Sequence, residues 1–261
     1  MLPQILSKQK LAEFARFLMG EHRLAAPVAK GHQFAFEFID APEEVGRIRM
    51  DYDITILPPK KFLLPVYEEL LRFGGRDPAS AEASVQAVPT VILGVHPYDL
   101  HAITTTDAAL RAEPGDPYYA ARRDATLLIG MNISGYVNAE QFMADMRTTE
   151  PPDGGWDLFL TDLGERYYVE VGSPAGSKLW KASGLFTQAT AEDHRAKQLF
   201  DNEKAANLPK RIPYDTRYLP ELLGESYDSL LWDAVARRCF SCGTCTNVCP
   251  TCYCFDVRDE L

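Results

Sequence analysis

Apolar residues follow two different periods along the chain up to about residue 180. Apolar positions spaced three and four residues apart predict amphipathic helices, whereas alternating or short continuous apolar runs predict strands. The helical pattern covers residues 4–20, 65–75, 96–111, 116–123 and 139–147. The strand pattern covers residues 24–28, 33–39, 51–59, 88–95, 125–132 and a pair of strands within 157–172.

Two of these predicted strands indicate the fold class. Residues 88–95 and 125–132 are almost continuously apolar, which is typical of strands covered on both faces. Because predicted helices join them, they favour a βαβ unit and an α/β domain, with an α+β arrangement as the alternative.

The composition changes beyond about residue 180. Polar, helix-forming stretches predict helices at residues 189–206, 217–223 and 226–237. We therefore expect two parts: an α/β domain at residues 1–180 and a small helical segment of ferredoxin-like type at residues 181–261.

The charge balance narrows the possible functions. The 261 residues carry a formal net charge of −10, with 46% hydrophobic residues. An acidic chain of this kind argues against nucleic acid as a partner, since nucleic-acid binders usually carry a basic face. No apolar run is long enough to span a membrane. Charged residues interrupt the first 20 residues, so we expect no signal peptide and a cytoplasmic location.

All six cysteines lie within sixteen residues, 239–254, which we call the cysteine segment. Its sequence is CFSCGTCTNVCPTCYC, with the spacing C-x2-C-x2-C-x3-C-P. This spacing is typical of bacterial proteins that hold a [4Fe-4S] cluster through thiolates. We expect Cys239, Cys242 and Cys245 to bind one such cluster. Structural zinc is disfavoured, because zinc sites usually pair two cysteine doublets across a longer gap.

The fourth ligand stays open from the spacing alone. Cys249 is the first candidate, and Cys252 and Cys254 are the alternatives. In two-cluster ferredoxins the cysteine before the proline binds the other cluster. Cys249 could therefore serve a second cluster, but only with ligands from outside this chain.

Five stretches carry a resemblance to a known family. They are the cysteine segment and, in order along the chain, PPKKFLLPVYEELLRF (58–73), VILGVHPYDLHAI (91–103), DPYYAARRDATLLIGMN (116–132) and LTDLGERYYVEVGS (160–173). Together they resemble the iron–sulfur subunits related to the β subunit of cytosolic nickel–iron (sulf)hydrogenases and to the corresponding iron–sulfur subunit of anaerobic sulfite reductase. The resemblance covers most of the chain.

That resemblance implies an electron-transfer protein that joins a catalytic oxidoreductase subunit to a flavoprotein or ferredoxin. Related subunits often carry cysteine where this chain has Tyr98, and further cysteines after the position of Ile133. We therefore expect no additional N-terminal cluster. Relatives also usually continue to a second cysteine run, whereas this sequence ends at Leu261, so a shortened or truncated relative is expected.

The alternative function is a stand-alone iron–sulfur oxidoreductase that binds flavin or a small substrate. Its supporting feature is the stretch after the strand at 88–95, which contains His96, Asp99 and His101. Side chains at this point of an α/β fold often contact ligands. A structural role for His96 is the competing interpretation. The chain contains no glycine-rich nucleotide-binding motif.

Overall fold

A computed structural model describes residues 2–74, 80–136, 138 and 140–260. Within them the fold is α/β, as predicted. The strands are β1 (Gln4–Ser7), β2 (Arg23–Lys30), β3 (Gln33–Ile39), β4 (Leu71–Arg72), β5 (Glu82–Ala83), β6 (Thr90–Val95), β7 (Thr126–Met131), β8 (Leu158–Asp162), β9 (Arg166–Val171) and β10 (Thr187–Gln188). The α-helices are α1 (Leu11–Met19), α2 (Pro97–Leu110), α3 (Pro117–Asp124), α4 (Pro174–Ser183), α5 (Ala191–Asn207), α6 (Leu219–Glu225), α7 (Leu230–Ala236) and α8 (Thr244–Val248).

The main sheet has eight strands in the order β10-β1-β9-β8-β7-β6-β2-β3. Its centre is parallel, since β6 pairs in parallel with both β2 and β7, and β7 pairs in parallel with β8. Strands β6 and β7 are joined by α2 and α3, which confirms the predicted βαβ unit. The remaining pairings are antiparallel and extend the sheet at both edges.

The core lies on both faces of this sheet. Phe14 of α1 and Leu179 of α4 pack on one face, where they contact the cluster that includes Val91. Leu100 of α2 and Tyr119 of α3 pack on the other face. Every residue of β6 is buried. This two-sided burial explains why that strand is continuously apolar rather than alternating.

The helix predicted at residues 4–20 is only partly present. Residues 8–10 form a 3-10 turn and α1 follows, but Gln4–Ser7 is the strand β1. Gln4 is paired with Val169 and Ile5 with Tyr168, so this segment is held between β9 and β10. Pairing with a distant strand overrides the local helical spacing here.

Three further predictions are wrong. Residues 51–59 form no strand and make only an isolated bridge from Thr55 to Phe34. Among described residues 65–74 there is no helix, because Arg122 pairs with Glu68 and β4 pairs with β5. Gly75 lies outside the described residues. Described residues 140–147 form turns rather than a helix.

Most of the elements predicted after residue 157 are present. β8 and β9 confirm the strand pair within 157–172, and α5 confirms the helix at 189–206. The 3-10 turn Thr216–Tyr218 with α6, and then α7, account for the two short predicted helices. Helix α4 and the short strands β5 and β10 were not predicted. Residue 180, near which the domain boundary is predicted, lies inside α4. The division itself stays a prediction.

Candidate metal centre at the cysteine segment

Left-handed backbone shapes the start of the cysteine segment. Helix α7 ends next to it, and α8 carries Cys245 within it. Gly243, the residue before α8, has φ 72°, and Ser241 has φ 54°. Glycine adopts this conformation at little cost, whereas it is uncommon for other residues. The chain therefore turns sharply between Cys239 and Cys245, as the C-x2-C-x2-C spacing requires.

All six thiols are free, and none is in a disulfide. Cys239, Cys242, Cys245 and Cys254 are exposed, and Cys249 and Cys252 are partly buried. The Cys242 thiol lies 3.2 Å from Thr244 Oγ1. Hydrogen bonding with Thr244 lowers the pKa of Cys242 from its ordinary value. Because the thiolate is the form that binds metal, this contact favours a ligand role for Cys242.

Cys249 and Cys252 form a thiol pair. Burial raises the pKa of Cys249, but hydrogen bonds from Cys252 and Thr251 outweigh that effect and lower it to about 7. The hydrogen bond with Cys249 correspondingly raises the pKa of Cys252, while the positive charge of Lys60 acts in the opposite direction. The spacing left the role of these two cysteines open, and the structure brings them into contact.

Residues far away in sequence hold the cysteine segment against the α/β domain. Lys60 Nζ donates to Thr246 O at 3.1 Å and to Cys252 O at 2.7 Å. Tyr67 OH donates to Glu260 Oε2 at 3.0 Å, six residues after the last cysteine. Sequence reasoning missed all of these contacts. The only available signal was that the block 58–73 belongs to the same family resemblance as the cysteine segment.

The thiols fit an iron–sulfur centre by their chemistry. Thiolates are the usual ligands of such clusters, and the hydroxyls of Thr244 and Thr251 lie within hydrogen-bonding distance of cysteine sulfur. Among the described residues, no three His, Cys, Asp or Glu side chains lie close enough together to hold a metal ion. The assignment of Cys239, Cys242, Cys245 and a fourth cysteine therefore stays a prediction.

The second candidate region lies at the carboxyl end of β6. His96 and Asp99 are buried, and the His96 ring stacks on Tyr52 with 4.0 Å between centroids. His96 Nδ1 lies 2.8 Å from Tyr98 OH. His101 is separate, with Nε2 2.9 Å from Glu150 O. His96 is thus packed between two tyrosines, an arrangement that favours its structural interpretation.

Burial shifts the pKa values of both buried groups in this region. It lowers the pKa of His96 to about 3 and raises the pKa of Asp99 to about 7. Each shift favours the neutral form of its side chain, as expected where water is excluded. Nearby, the buried Lys204 of α5 donates to Asn132 Oδ1 at 2.9 Å. Packed side chains therefore occupy this end of the sheet.

The fold and the thiols together define a class of protein: an α/β domain that carries an exposed, cysteine-rich candidate metal centre. Within the described residues, no helix is long and apolar enough to cross a membrane. No protein-family model matches the chain.

The chain is similar to sulfhydrogenase 2 subunit beta of Pyrococcus furiosus. The two are 31% identical over 255 residues, which is 97% of this chain and 73% of the relative. The chain therefore belongs to the sulfhydrogenase β-subunit family. This likeness confirms the resemblance that the ordered sequence blocks indicate.

Proposed function

We propose that this protein is an iron–sulfur subunit of a multisubunit oxidoreductase of hydrogenase or sulfite-reductase type. It relays single electrons between a catalytic subunit and a flavoprotein or ferredoxin, and it works in the cytoplasm. The observation that carries the proposal is the set of six free thiols with C-x2-C-x2-C-x3-C-P spacing. The relative's name, a subunit of a sulfhydrogenase, supports the subunit role.

The proposed cofactor is one [4Fe-4S] cluster. Cys239, Cys242 and Cys245 provide three ligands, and Cys249 is the first candidate for the fourth, with Cys252 and Cys254 as alternatives. When bound, such a cluster accepts and releases one electron at a time. A second cluster would need ligands from outside this chain. The contact between Cys249 and Cys252 supports the idea that these two thiols act together.

Exposed apolar side chains around the cysteines support a partner. Large exposed apolar patches commonly mark protein–protein contacts. In the part of the chain after α5 the exposed large hydrophobic side chains are those of Tyr214, Tyr218, Leu222, Leu223, Tyr227, Leu230, Leu231, Trp232, Val235, Phe240, Val248, Tyr253, Phe255 and Val257. Phe240, between two cysteines, is 95% exposed. We infer that the catalytic subunit covers this surface, which would shorten the path for electrons and exclude water.

Anaerobic purification of the full chain, with whatever copurifies, tests this proposal. Iron, zinc and flavin are measured per chain, and copurifying subunits are identified by mass spectrometry. We expect about four irons per chain, no flavin bound to this chain and a copurifying oxidoreductase subunit. Stoichiometric zinc in place of iron would contradict the cofactor. Flavin bound to this chain, with turnover by the isolated chain, would instead support the stand-alone oxidoreductase.

A further inference from the structure

We propose that Lys60 is a positioning residue that fastens the cysteine segment to the α/β domain and raises the reduction potential of the centre bound there. The inference rests on the proposed iron–sulfur function. It concerns a residue outside the cysteine segment, on a different part of the fold.

The backbone of Lys60 is firmly anchored. It lies in the 3-10 turn Pro59–Phe62, in which Pro59 is buried. Phe62 packs edge-on against Phe38 with 4.8 Å between ring centroids. The next residue, Leu63, is 1% exposed, and its carbonyl accepts from Arg122 Nε at 2.7 Å. Lys60 therefore extends from a fixed point of the domain.

The ammonium group of Lys60 connects two parts of the cysteine segment. Thr246 O lies in α8, before Cys249, and Cys252 O lies after Cys249. One Nζ thus holds both sides of the turn that carries Cys249. Hydrogen bonds from a charged donor are about twice as strong as neutral ones. Losing them would free the turn from the domain.

The ammonium group of Lys60 contacts backbone carbonyls in the described part of the chain. Among the described residues, no carboxylate forms an ion pair with Lys60 Nζ, and both of its acceptors are backbone carbonyls. Nζ lies 2.7 Å from the backbone carbonyl of Cys252, so the charge sits beside one of the candidate ligand residues. A positive charge near a thiolate-bound centre stabilises the extra electron of the reduced state, and local charge and hydrogen bonds are among the factors that set cluster potentials.

Three substitutions separate the charge of Lys60 from its packing. Lys60→Arg keeps a positive donor, Lys60→Gln keeps a neutral donor, and Lys60→Met keeps only the apolar stem. The matched control is Lys61→Met, which removes the same charge from the neighbouring residue. Lys61 Nζ lies over the Phe62 ring, 5.3 Å from its centroid, and makes no hydrogen bond to the cysteine segment among the described residues.

The experiment uses the full chain, purified anaerobically with its copurifying subunits. Iron per chain, the midpoint potential from a redox titration followed by electron paramagnetic resonance, and the rate of trypsin cleavage after Arg238 are measured. We expect Lys60→Met to lower the potential and to speed this cleavage by roughly tenfold, as for loss of charged hydrogen bonds. Lys60→Gln should lower the potential with a smaller effect on cleavage. Lys60→Arg and Lys61→Met should behave like the wild type.

The outcomes distinguish this inference from the function on which it rests. Absence of iron in the wild-type protein would overturn the proposed function, and cleavage would then still test the fastening role. Iron in the wild type with an unchanged potential in Lys60→Met would overturn the electrostatic role. Unchanged cleavage would overturn the fastening role. An equal shift in Lys61→Met would show that the effect is one of general surface charge and would also overturn the proposal.

Discussion

The α/β domain and the cysteine segment are stabilised in opposite ways. The domain places side chains such as Phe14, Leu93 and Tyr119 fully out of water on both faces of an eight-stranded sheet. By contrast, none of the described residues after Leu208 is buried. Burial of apolar surface is the main favourable term in folding. We therefore expect the domain to specify its own structure, and the cysteine segment to depend on the proposed cluster and on contacts from the domain.

This difference makes stability and metal binding separable. A substitution in the sheet should change the free energy of unfolding with little effect on iron binding by the thiols. A substitution of a cysteine should change iron binding with little effect on the free energy of unfolding. Among the described residues, the two hydrogen bonds from Lys60 join the domain to the cysteine segment, and the one from Tyr67 joins it to Glu260, shortly after that segment.

The largest effect is expected from Cys242→Ser. A hydroxyl replaces a predicted ligand, so the iron–sulfur absorbance should be lost, while the thermal midpoint of the domain should stay within a few degrees of the wild type. Visible absorbance, iron analysis and circular dichroism measure these quantities. Ser241→Ala, in the same turn but without a thiol, is the control and should keep the iron. Unchanged iron in Cys242→Ser would refute its role as a ligand.

A pair of glycine substitutions tests whether the α/β domain, unlike the region after Leu208, has a tightly packed core. A Cβ on Gly130 of β7 would lie 2.4 Å from Phe159 Cδ2 and 3.0 Å from Leu100 Cδ1, whereas one on Gly224 of α6 would have no atom within 4 Å. Gly130→Ala should therefore lower the free energy of unfolding by about 1 to 3 kcal/mol through overpacking. Gly224→Ala should leave it unchanged or raise it by up to about 1 kcal/mol.

Chemical denaturation measures both glycine variants, and iron per folded chain should be the same in each. Equal destabilisation by the two substitutions would contradict the view that only the domain has a tightly packed core. Loss of iron in Gly130→Ala at full folding would show that the two regions are more strongly coupled than the three hydrogen bonds suggest.

The smallest effect concerns the buried carboxyl group of Asp99. Its pKa is raised from 3.8 to about 7 in the folded protein, so its contribution to stability is present below pH 3.8 and is lost as pH rises toward 7. Asp99→Asn does not titrate. The stability of this variant relative to the wild type should rise between pH 5 and 6, by about 1.4 kcal/mol per pH unit at most.

Comparing the two proteins removes the opposite contribution of His96, because both contain it. The pKa of His96 is lowered to about 3, so its contribution is present above pH 6.5 and is lost as pH falls. Denaturant unfolding of both proteins at pH 5, 5.5 and 6 gives the difference. A difference that does not change with pH would mean that burial does not raise the pKa of Asp99 in the folded protein above its value in the unfolded chain.

Local sequence signals were sufficient where one segment determines its own structure. The apolar runs of β6 and β7 predicted buried strands, because that pattern lies in consecutive residues. The cysteine spacing is equally local, and the metal centre that it predicts stays a prediction. Local signals were insufficient where contacts with a distant part of the chain determine the structure of a segment. Gln4–Ser7 is a strand because β9 lies beside it. Glu68 forms an ion pair with Arg122, and its segment is not helical. The partners of Lys60 lie 186 and 192 residues away.

The central claim is that the cysteine segment carries the redox centre and the α/β domain carries none. Electron paramagnetic resonance of the anaerobically purified full chain, reduced with dithionite, tests it most directly when the same sample is analysed for flavin. We predict a signal of a reduced [4Fe-4S] centre that integrates to about one spin per chain, without flavin on this chain. A flavin radical on this chain, or no iron–sulfur signal in a protein with intact thiols, would contradict it.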